Sequence, residues 1–269
     1  MAAPLPHRIR GPKLKPFNGE LDTIEFKKVL SSNVVEQSSG EIPHSVVFQV
    51  NIKGKTFALK VFNFFSMEEI WPVILGQEHL LKENVVRHHL DPFYAECRAF
   101  GRLIENNKDD TLAVRCYGYV FLPHAIERQI ERQFGISGWN RKAEDEDSPL
   151  RAIIKDHIKW KTLCNRKTFK TMRKNLEEVN KLGIFNMDIR KDNYLGGRLF
   201  DFSIAVTAPH LSLWPRLRSK ERIVEDMDDD LKCFDDIVER VREKEEQPVP
   251  SQSLSWKQRT RAGTKPQHP

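Results

Sequence analysis

The sequence predicts an α+β protein in two lobes, with a small antiparallel sheet followed by a minimal helical region. Two β-rich runs, residues 46–52 and 56–62, flank a Lys-Gly-Lys turn and predict a hairpin. Residues 92–105 have an apolar helical face, with Asp91 as the N-cap and Pro92 at the first helical position. At 269 residues, 39% of them apolar, the chain is long enough to bury a core.

The remaining elements are predicted from apolar spacing. Residues 112–122 predict two short strands that end at Pro123, where we expect a hinge between the lobes. Apolar residues at helical spacing predict helices over residues 150–163 and 167–182, beneath the candidate site. A further helix, rich in acidic residues, is predicted after residue 222, where Leu231, Phe234, Ile237, Val238 and Val241 share one apolar face.

Composition divides the chain into four parts. They are an extended basic leader, an N-terminal lobe, a reduced C-terminal lobe and a disordered basic tail, at residues 1–23, 24–123, 124–246 and 247–269. In the leader, Leu14 and Phe17 are the residues that we expect to anchor to the body of the protein.

Charge is unevenly distributed along the chain, which has a net charge of +6. Residues 151–200 hold 13 basic and 5 acidic residues, whereas residues 221–246 hold 12 acidic and 5 basic ones. One explanation is that these are solvated helix faces that partly neutralise each other. The alternative is a basic face over residues 151–200 that binds an acidic protein or DNA.

The sequence contains no apolar run of the length of a membrane span, and its beginning lacks the apolar centre of a signal peptide. We therefore expect no membrane contact and a location in the cytoplasm or nucleus. The four cysteines are far apart, with no C-x-x-C pair, so the sequence suggests neither a zinc site nor a disulfide framework.

The candidate functional residues concentrate in residues 183–203. Asp188 and Asn193 stand five apart, the spacing of a catalytic loop in which an Asp orients an attacking hydroxyl and an Asn holds a metal ion. Asp201 lies between two phenylalanines, where a charge is costly to bury unless a cation or a donor pairs with it. The alternative is that Asp188, Asp192 and Asn193 are only turn residues between a helix and a hairpin with Gly196 and Gly197 at its tip.

These motifs resemble those of protein kinases. Lys60 ends a Phe-Ala-Leu-Lys run that looks like the kinase V-A-I-K, and Glu96 resembles the helix Glu that pairs with that lysine. The resemblance implies ATP and magnesium as cofactors, with Lys60 and Glu96 binding the nucleotide and Asn193 and Asp201 binding the metal. It makes Asp188 the catalytic base. Without the resemblance, Lys60 is a solvated strand lysine and Glu96 a first-turn acid that complements the helix dipole.

Four departures from the kinase pattern weaken the prediction of catalysis. Asn186 replaces the usual His of H-R-D, and Ser203 replaces the Gly of D-F-G. Gly40 is the only glycine where a glycine-rich loop would cover the phosphates. The chain after Ser203 has no A-P-E signature and is too short for the further helices of a kinase C-lobe.

Five separated blocks carry a more specific resemblance: Gly11–Phe17, Phe57–Lys60, Asp91–Leu103, Asp188–Asn193 and Phe200–Ser203. Together they resemble a family of fungal inner-kinetochore subunits, the Fta-two family of the Sim-four complex, over residues 10–245. The resemblance implies a protein-kinase-like fold, a nuclear, centromeric location and other kinetochore subunits as partners.

Two functions follow. The first is a kinase-fold binding subunit of a kinetochore complex that holds a nucleotide with weak or no catalysis. The alternative is an active, compact ATP-dependent phosphotransferase that acts on a protein or a small molecule.

Overall fold

The structure, a computed structural model, describes residues 11–21, 23–31, 43–67, 81–159 and 166–246. Over these residues the chain forms nine strands and five α-helices, which confirms the predicted α+β class. The strands are β1 (Glu25–Val29), β2 (Ser45–Ile52), β3 (Lys55–Phe62), β4 (Cys116–Leu122), β5 (Leu150–Asp156), β6 (Ile184–Phe185), β7 (Tyr194–Leu195), β8 (Arg198–Leu199) and β9 (Val206–Thr207). The helices are α1 (Glu83–Leu90), α2 (Pro92–Glu105), α3 (His124–Phe134), α4 (Arg166–Lys181) and α5 (Lys220–Glu246).

The main sheet has five antiparallel strands in the order β1-β2-β3-β5-β4. The predicted hairpin is confirmed as β2 and β3, and its turn places Lys53 and Gly54 at φ 51° and 80°. Both central residues of a type I′ turn require positive φ, which glycine adopts without strain. A second small hairpin, β7–β8, turns at Gly196 and Gly197 as the sequence predicts.

The two faces of the sheet pack against different helices. Alternate residues such as Phe48, Leu59 and Ile154 point to one face and pack in a core with α3 and Trp139. The opposite face, which carries Lys60, packs against α2. Because strand side chains alternate between faces, the register fixes which residues meet α2 and which meet α3.

The predicted helix over residues 150–163 is wrong, because residues 150–156 form the strand β5 between β3 and β4. Positions 152–155 are all buried, and the apolar run Ala152-Ile-Ile154 within them is one that periodicity alone does not distinguish from a buried helix. Residues 112–122 give one strand, β4, and Pro123 is the N-cap of α3. Strand β5, which follows the hinge predicted at Pro123, therefore belongs to the same sheet as the strands that precede it.

The other three predicted helices are confirmed. Helix α2 begins at Pro92, and the Asp91 carboxylate accepts a hydrogen bond from the Phe93 backbone N–H at 2.9 Å. Helices α4 and α5 match the two predicted helical segments, and Phe169 of α4 meets Phe234 of α5 edge to face at 6.3 Å between ring centroids. Together these helices form the layer that supports residues 183–203.

The leader anchors where the sequence predicts. Leu14 is 3% exposed, and the Phe17 backbone N–H donates to the Tyr119 carbonyl of β4 at 2.9 Å. Gly101 of α2 lets the leader approach closely, since a Cβ there would lie 2.5–2.8 Å from backbone atoms of Lys13 and Leu14. The first ten residues and the tail over 247–269 lie outside the described residues.

We predict that Gly101→Ala detaches the leader, because the added methyl group occupies the space of its backbone. Losing the burial of Leu14 should lower the free energy of unfolding by about 2 kcal/mol. Trypsin should then cut the Lys13–Leu14 bond faster in the variant than in the wild type, measured by mass spectrometry of timed digests. Glu105→Ala, at an exposed position of the same helix, serves as the control. Equal cleavage rates in all three proteins would contradict the prediction.

Candidate functional site

Four charged side chains form a continuous chain between the sheet and α2. Lys60 Nζ donates to Glu96 Oε2 at 2.6 Å and to Asp201 Oδ1 at 2.8 Å. Lys155 Nζ donates to the other oxygen of the same carboxylate, Glu96 Oε1, at 2.6 Å. Two lysines and two carboxylates therefore balance one another, and only Asp201, with its side chain 26% exposed, reaches solvent appreciably.

Strand register brings the two lysines together. Lys60 of β3 pairs with Ile153 of β5, and Ala58 pairs with Lys155, so both lysines lie on the face that packs against α2. Like charges on neighbouring strands repel unless an acid lies between them, and α2 supplies that acid as Glu96. Removing one partner from a buried ion pair typically costs about 3–5 kcal/mol.

The start of α2, and with it Glu96, is fixed by a second ion pair. Asp91, the N-cap, is fully buried and pairs with Arg151 of β5. Arg151 and Lys155 stand four apart in the strand and therefore face the same side. Strand β5 thus forms two ion pairs with this helix, Arg151 with the N-cap Asp91 and Lys155 with Glu96 about one turn further along.

The charges keep both ends of the Lys60–Asp201 contact ionised. Burial alone would lower the pKa of Lys60, but the carboxylates of Asp201 and Glu96 outweigh it and the pKa is raised. Burial alone would raise the pKa of Asp201, but Lys60 and Lys155 hold the pKa of that carboxyl well below its usual range. The contact is therefore a true ion pair at neutral pH.

The predicted catalytic loop lies beside this chain. The Asn193 side-chain amide donates to the Asp188 carboxylate at 2.9 Å and to the Asp188 carbonyl at 2.8 Å. Asn186 links the loop to Asp201, because its amide nitrogen donates to the Asp201 carbonyl at 2.7 Å and its oxygen accepts from the Asp188 N–H at 3.2 Å. The structure thus brings together all five residues singled out in the sequence.

Asp230 of α5 holds the turn before Asp188 and was missed by the sequence analysis. Its carboxylate accepts from the Asn186 N–H at 2.7 Å and from the Met187 N–H at 2.9 Å. Met187 has φ 65°, a left-handed conformation that a non-glycine residue keeps only when its surroundings fix it. Burial raises the pKa of Asp230 to about 6 although both N–H groups favour its charged form. Asp230 is buried while its neighbours Asp228 and Asp229 are exposed, and the sequence alone does not distinguish the three.

The oxygen donors at the site suit a hard cation such as magnesium. Asp201 would offer its carboxylate and Asn193 its side-chain oxygen, although Lys60 and the Ser203 N–H already bond to Asp201 Oδ1. Within the described ranges, there is no group of three or more His, Cys, Asp or Glu residues that could hold a metal ion. The glycine-poor loop around Gly40 lies outside the described residues.

The basic face predicted over residues 151–200 is not one surface. Arg151 and Lys155 lie under the sheet in ion pairs with acids of α2, and Arg173 of α4 pairs with Asp235 of α5 at 2.8 Å. The exposed lysines of α4 lie at spacings of three, four and seven along one side of the helix, at positions 167, 170, 174 and 181, and Lys181 pairs with Glu178 at 2.8 Å.

Fold and site together define an α+β protein in which a balanced, buried chain of ionic groups joins an antiparallel sheet to an Asp–Asn loop. The family model of the kinetochore Sim4 complex subunit FTA2 matches residues 1–206, and the chain belongs to this family. It is therefore a kinetochore complex subunit that functions in chromosome segregation at the centromere, in the nucleus, among other kinetochore subunits. A search of curated proteins found no match.

None of the helices in the described part of the chain is both long and apolar enough to cross a membrane.

The raised pKa of Asp230 predicts a pH dependence that Asp230→Asn should remove. A carboxyl that binds its proton more tightly in the folded state stabilises the protein fully below its unfolded pKa, and this contribution is lost as pH rises through about 6. The wild type should therefore gain stability relative to Asp230→Asn as pH falls from about 7 to about 5. Urea unfolding at several pH values measures the difference.

Asp228→Asn, at an exposed position of the same helix, is the control and should follow the wild type. Parallel pH curves for the wild type and Asp230→Asn would show that Asp230 does not titrate in this range.

Proposed function

We propose that this kinetochore subunit has a two-lobed, protein-kinase-like fold whose cleft binds ATP with magnesium and has weak or no catalytic activity. The observation that carries the proposal is the position of Lys60 Nζ, 2.6 Å from Glu96 and 2.8 Å from Asp201. A lysine on the third strand, a glutamate on the following helix and an aspartate after the catalytic loop are the parts with which kinases hold nucleotide phosphates.

Each group has a defined task in the proposed site. Lys60 would contact phosphate oxygens, with Glu96 holding its ammonium in place, and Asp201 and Asn193 would be the magnesium ligands. The bound metal would neutralise charge on the phosphates. Asp201 is the exposed end of the ionic chain, so a ligand would approach from its side.

The same geometry argues against efficient phosphate transfer. The carboxylate of Asp188 is held by the Asn193 amide at 2.9 Å and by Arg190 at 2.7 Å, so two donors compete for the group that would orient a substrate hydroxyl. The Ser203 N–H donates to Asp201 at 2.9 Å, where kinases have a glycine. These hydrogen bonds hold the Asp188 and Asp201 side chains in place, which favours binding of a ligand over catalytic turnover.

The alternative function is an active, compact phosphotransferase, and one observation favours it. Asp188 and Asn193 lie in one loop, and the Asn193 amide nitrogen donates to the Asp188 backbone carbonyl at 2.8 Å, which holds the proposed metal ligand beside the proposed base. Phosphoryl transfer depends mostly on positioning and charge stabilisation, so these groups could support it without further chemistry from the protein.

A thermal-shift titration with magnesium-ATP tests the proposal. ATP at a hundred times its dissociation constant should stabilise the wild type by about 2.7 kcal/mol, a rise in Tm of roughly 5–10 °C. Asp201→Asn should abolish most of the rise, because it removes the negative charge of the proposed metal ligand while preserving volume. Asp192→Asn, at an exposed position of the same segment, should retain it.

Absence of any shift in the wild type would refute nucleotide binding. The same proteins, incubated with γ-labelled ATP, test the alternative function. We expect no phosphate transfer to protein or to water above background. Transfer by the wild type that disappears in Asp188→Asn would instead establish the phosphotransferase.

Contact with an acidic protein or with DNA through residues 151–200 stays a prediction, and the exposed lysines of α4 offer one surface on which to test it. Binding of a DNA duplex should weaken steeply as salt is raised, since lysines that neutralise phosphates release counterions. Affinity that does not change with salt, or with Lys170→Gln and Lys174→Gln together, would exclude this surface.

A further inference from the structure

One side of α5 presents apolar side chains to solvent. Val224 is 56% exposed and Met227 is 39% exposed, and Leu231, the next apolar residue on this side, is only partly buried. Their spacings of three and four residues place them in one row along the helix. Single exposed apolar residues are common on proteins, but a row of them indicates a surface that another segment covers.

This row leads into a groove between α4 and α5. Val238 and Arg242 line the groove together with aromatic residues of both helices. They stand 7 and 11 residues after Leu231, a spacing that keeps them on the same side of α5. The row and the groove therefore form one continuous surface from Val224 to Arg242, which we call the α5 flank.

Acidic side chains border the α5 flank on the side away from the core. All are exposed and at helical spacing, namely Glu221, Glu225, Asp228, Asp235 and Glu239. Two of them pair with arginines at the surface. Glu221, Asp228 and Glu239 have no basic partner in the part of the chain that the structure describes. An apolar surface with an acidic border fits a segment that combines apolar and basic residues.

Residues 247–269, which follow α5 directly, have this composition. They contain four basic residues and no acidic one, whereas residues 221–246 hold 12 acidic and 5 basic residues. Leu254 and Trp256 come immediately before the first base, Lys257. Pro248 cannot continue the helix, and residues before a proline favour extended conformations.

The segment is long enough to turn back along α5. Met227 lies 19 residues before Glu246, a distance of about 28 Å along the helix axis. An extended chain spans about 33 Å over ten residues, the separation of Glu246 and Trp256 in the sequence. Trp256 can therefore reach Met227 with length left for the reversal of direction. Because the segment is tethered, its effective concentration is high and a weak contact suffices.

We propose that residues 247–269 fold back along the α5 flank, where Leu254 and Trp256 cover Leu231 and Met227 and the bases that follow contact the acidic border. The contact is intramolecular and keeps this apolar surface from solvent and from other chains. A partner that captures the basic segment would uncover the surface. The inference does not depend on nucleotide binding.

Carbodiimide cross-linking of the full chain tests the proposal, because it joins a lysine amine to a carboxylate only where the two are in contact. Mass spectrometry should identify cross-links from Lys257 to the acidic border of the α5 flank. Trp256→Ser should lower their yield about tenfold, since removing an aromatic anchor commonly weakens a contact by this factor or more. Gln258→Ser, a polar substitution in the same segment, should leave the yield unchanged.

A second variant tests the surface itself. Val224→Ser with Met227→Ser should lower the yield as Trp256→Ser does, because it removes the apolar row. Arg240→Ser, with a side chain 71% exposed on another side of the helix, is its control. Both replaced apolar residues are exposed, so the variant should fold, which circular dichroism checks. If it does not fold, the comparison of Trp256→Ser with Gln258→Ser decides alone.

A mixture of isotope-labelled and unlabelled protein identifies the occupant of the surface. Cross-links that join peptides of the same label alone would establish the chain's own segment. Cross-links between labelled and unlabelled peptides would show that a second copy covers α5, and this result would overturn the intramolecular contact. Absence of cross-links from Lys257 to α5, or a yield that Trp256→Ser does not change, would refute the docking.

Discussion

The buried carboxylate of Glu96 is the constraint on which much of the described structure depends. It joins three parts of the chain, since its two oxygens bind lysines from β3 and β5 while its own backbone belongs to α2. Through Lys155 it also reaches the Phe200 carbonyl, and through Lys60 it reaches Asp201. A charge removed from water at this depth is tolerated only with well-placed partners, so the positions of sheet, helix and loop become mutually dependent.

A second buried carboxylate, Asp230, acts on the same loop from the opposite side. It binds the backbone N–H groups of Asn186 and Met187, and the Asn186 side chain in turn binds the Asp201 carbonyl. Helix α5 and the sheet therefore restrain the Asp188–Asp201 segment independently. Satisfied polar networks of this kind rigidify the loop that they hold.

The sequence predicts those site residues that lie in short motifs. It does not predict residues whose place in the site is set by contacts between distant segments. Lys60 and Glu96 were identified because their strand and helix segments resemble kinase motifs. Lys155 was missed because its segment was interpreted as a helix, and a continuous apolar run does not reveal which face of a strand is buried. Once residues 150–156 are known to be a strand, alternation alone places Arg151 and Lys155 on the side of α2. Asp230 could not be found this way, since local patterns do not show which acid of an acidic helix meets a distant turn.

The balance of charge among the buried ionic groups makes the described core independent of any bound ion. Two lysines offset Glu96 and Asp201, so the core needs no bound cation to remain neutral. A site that required a ligand for neutrality would make folding depend on ligand concentration, because binding energy and folding energy would then be linked. In this protein a ligand at Asp201 would instead adjust a core that is already assembled. A subunit built in this way would keep its folded surfaces whether or not a ligand binds at Asp201.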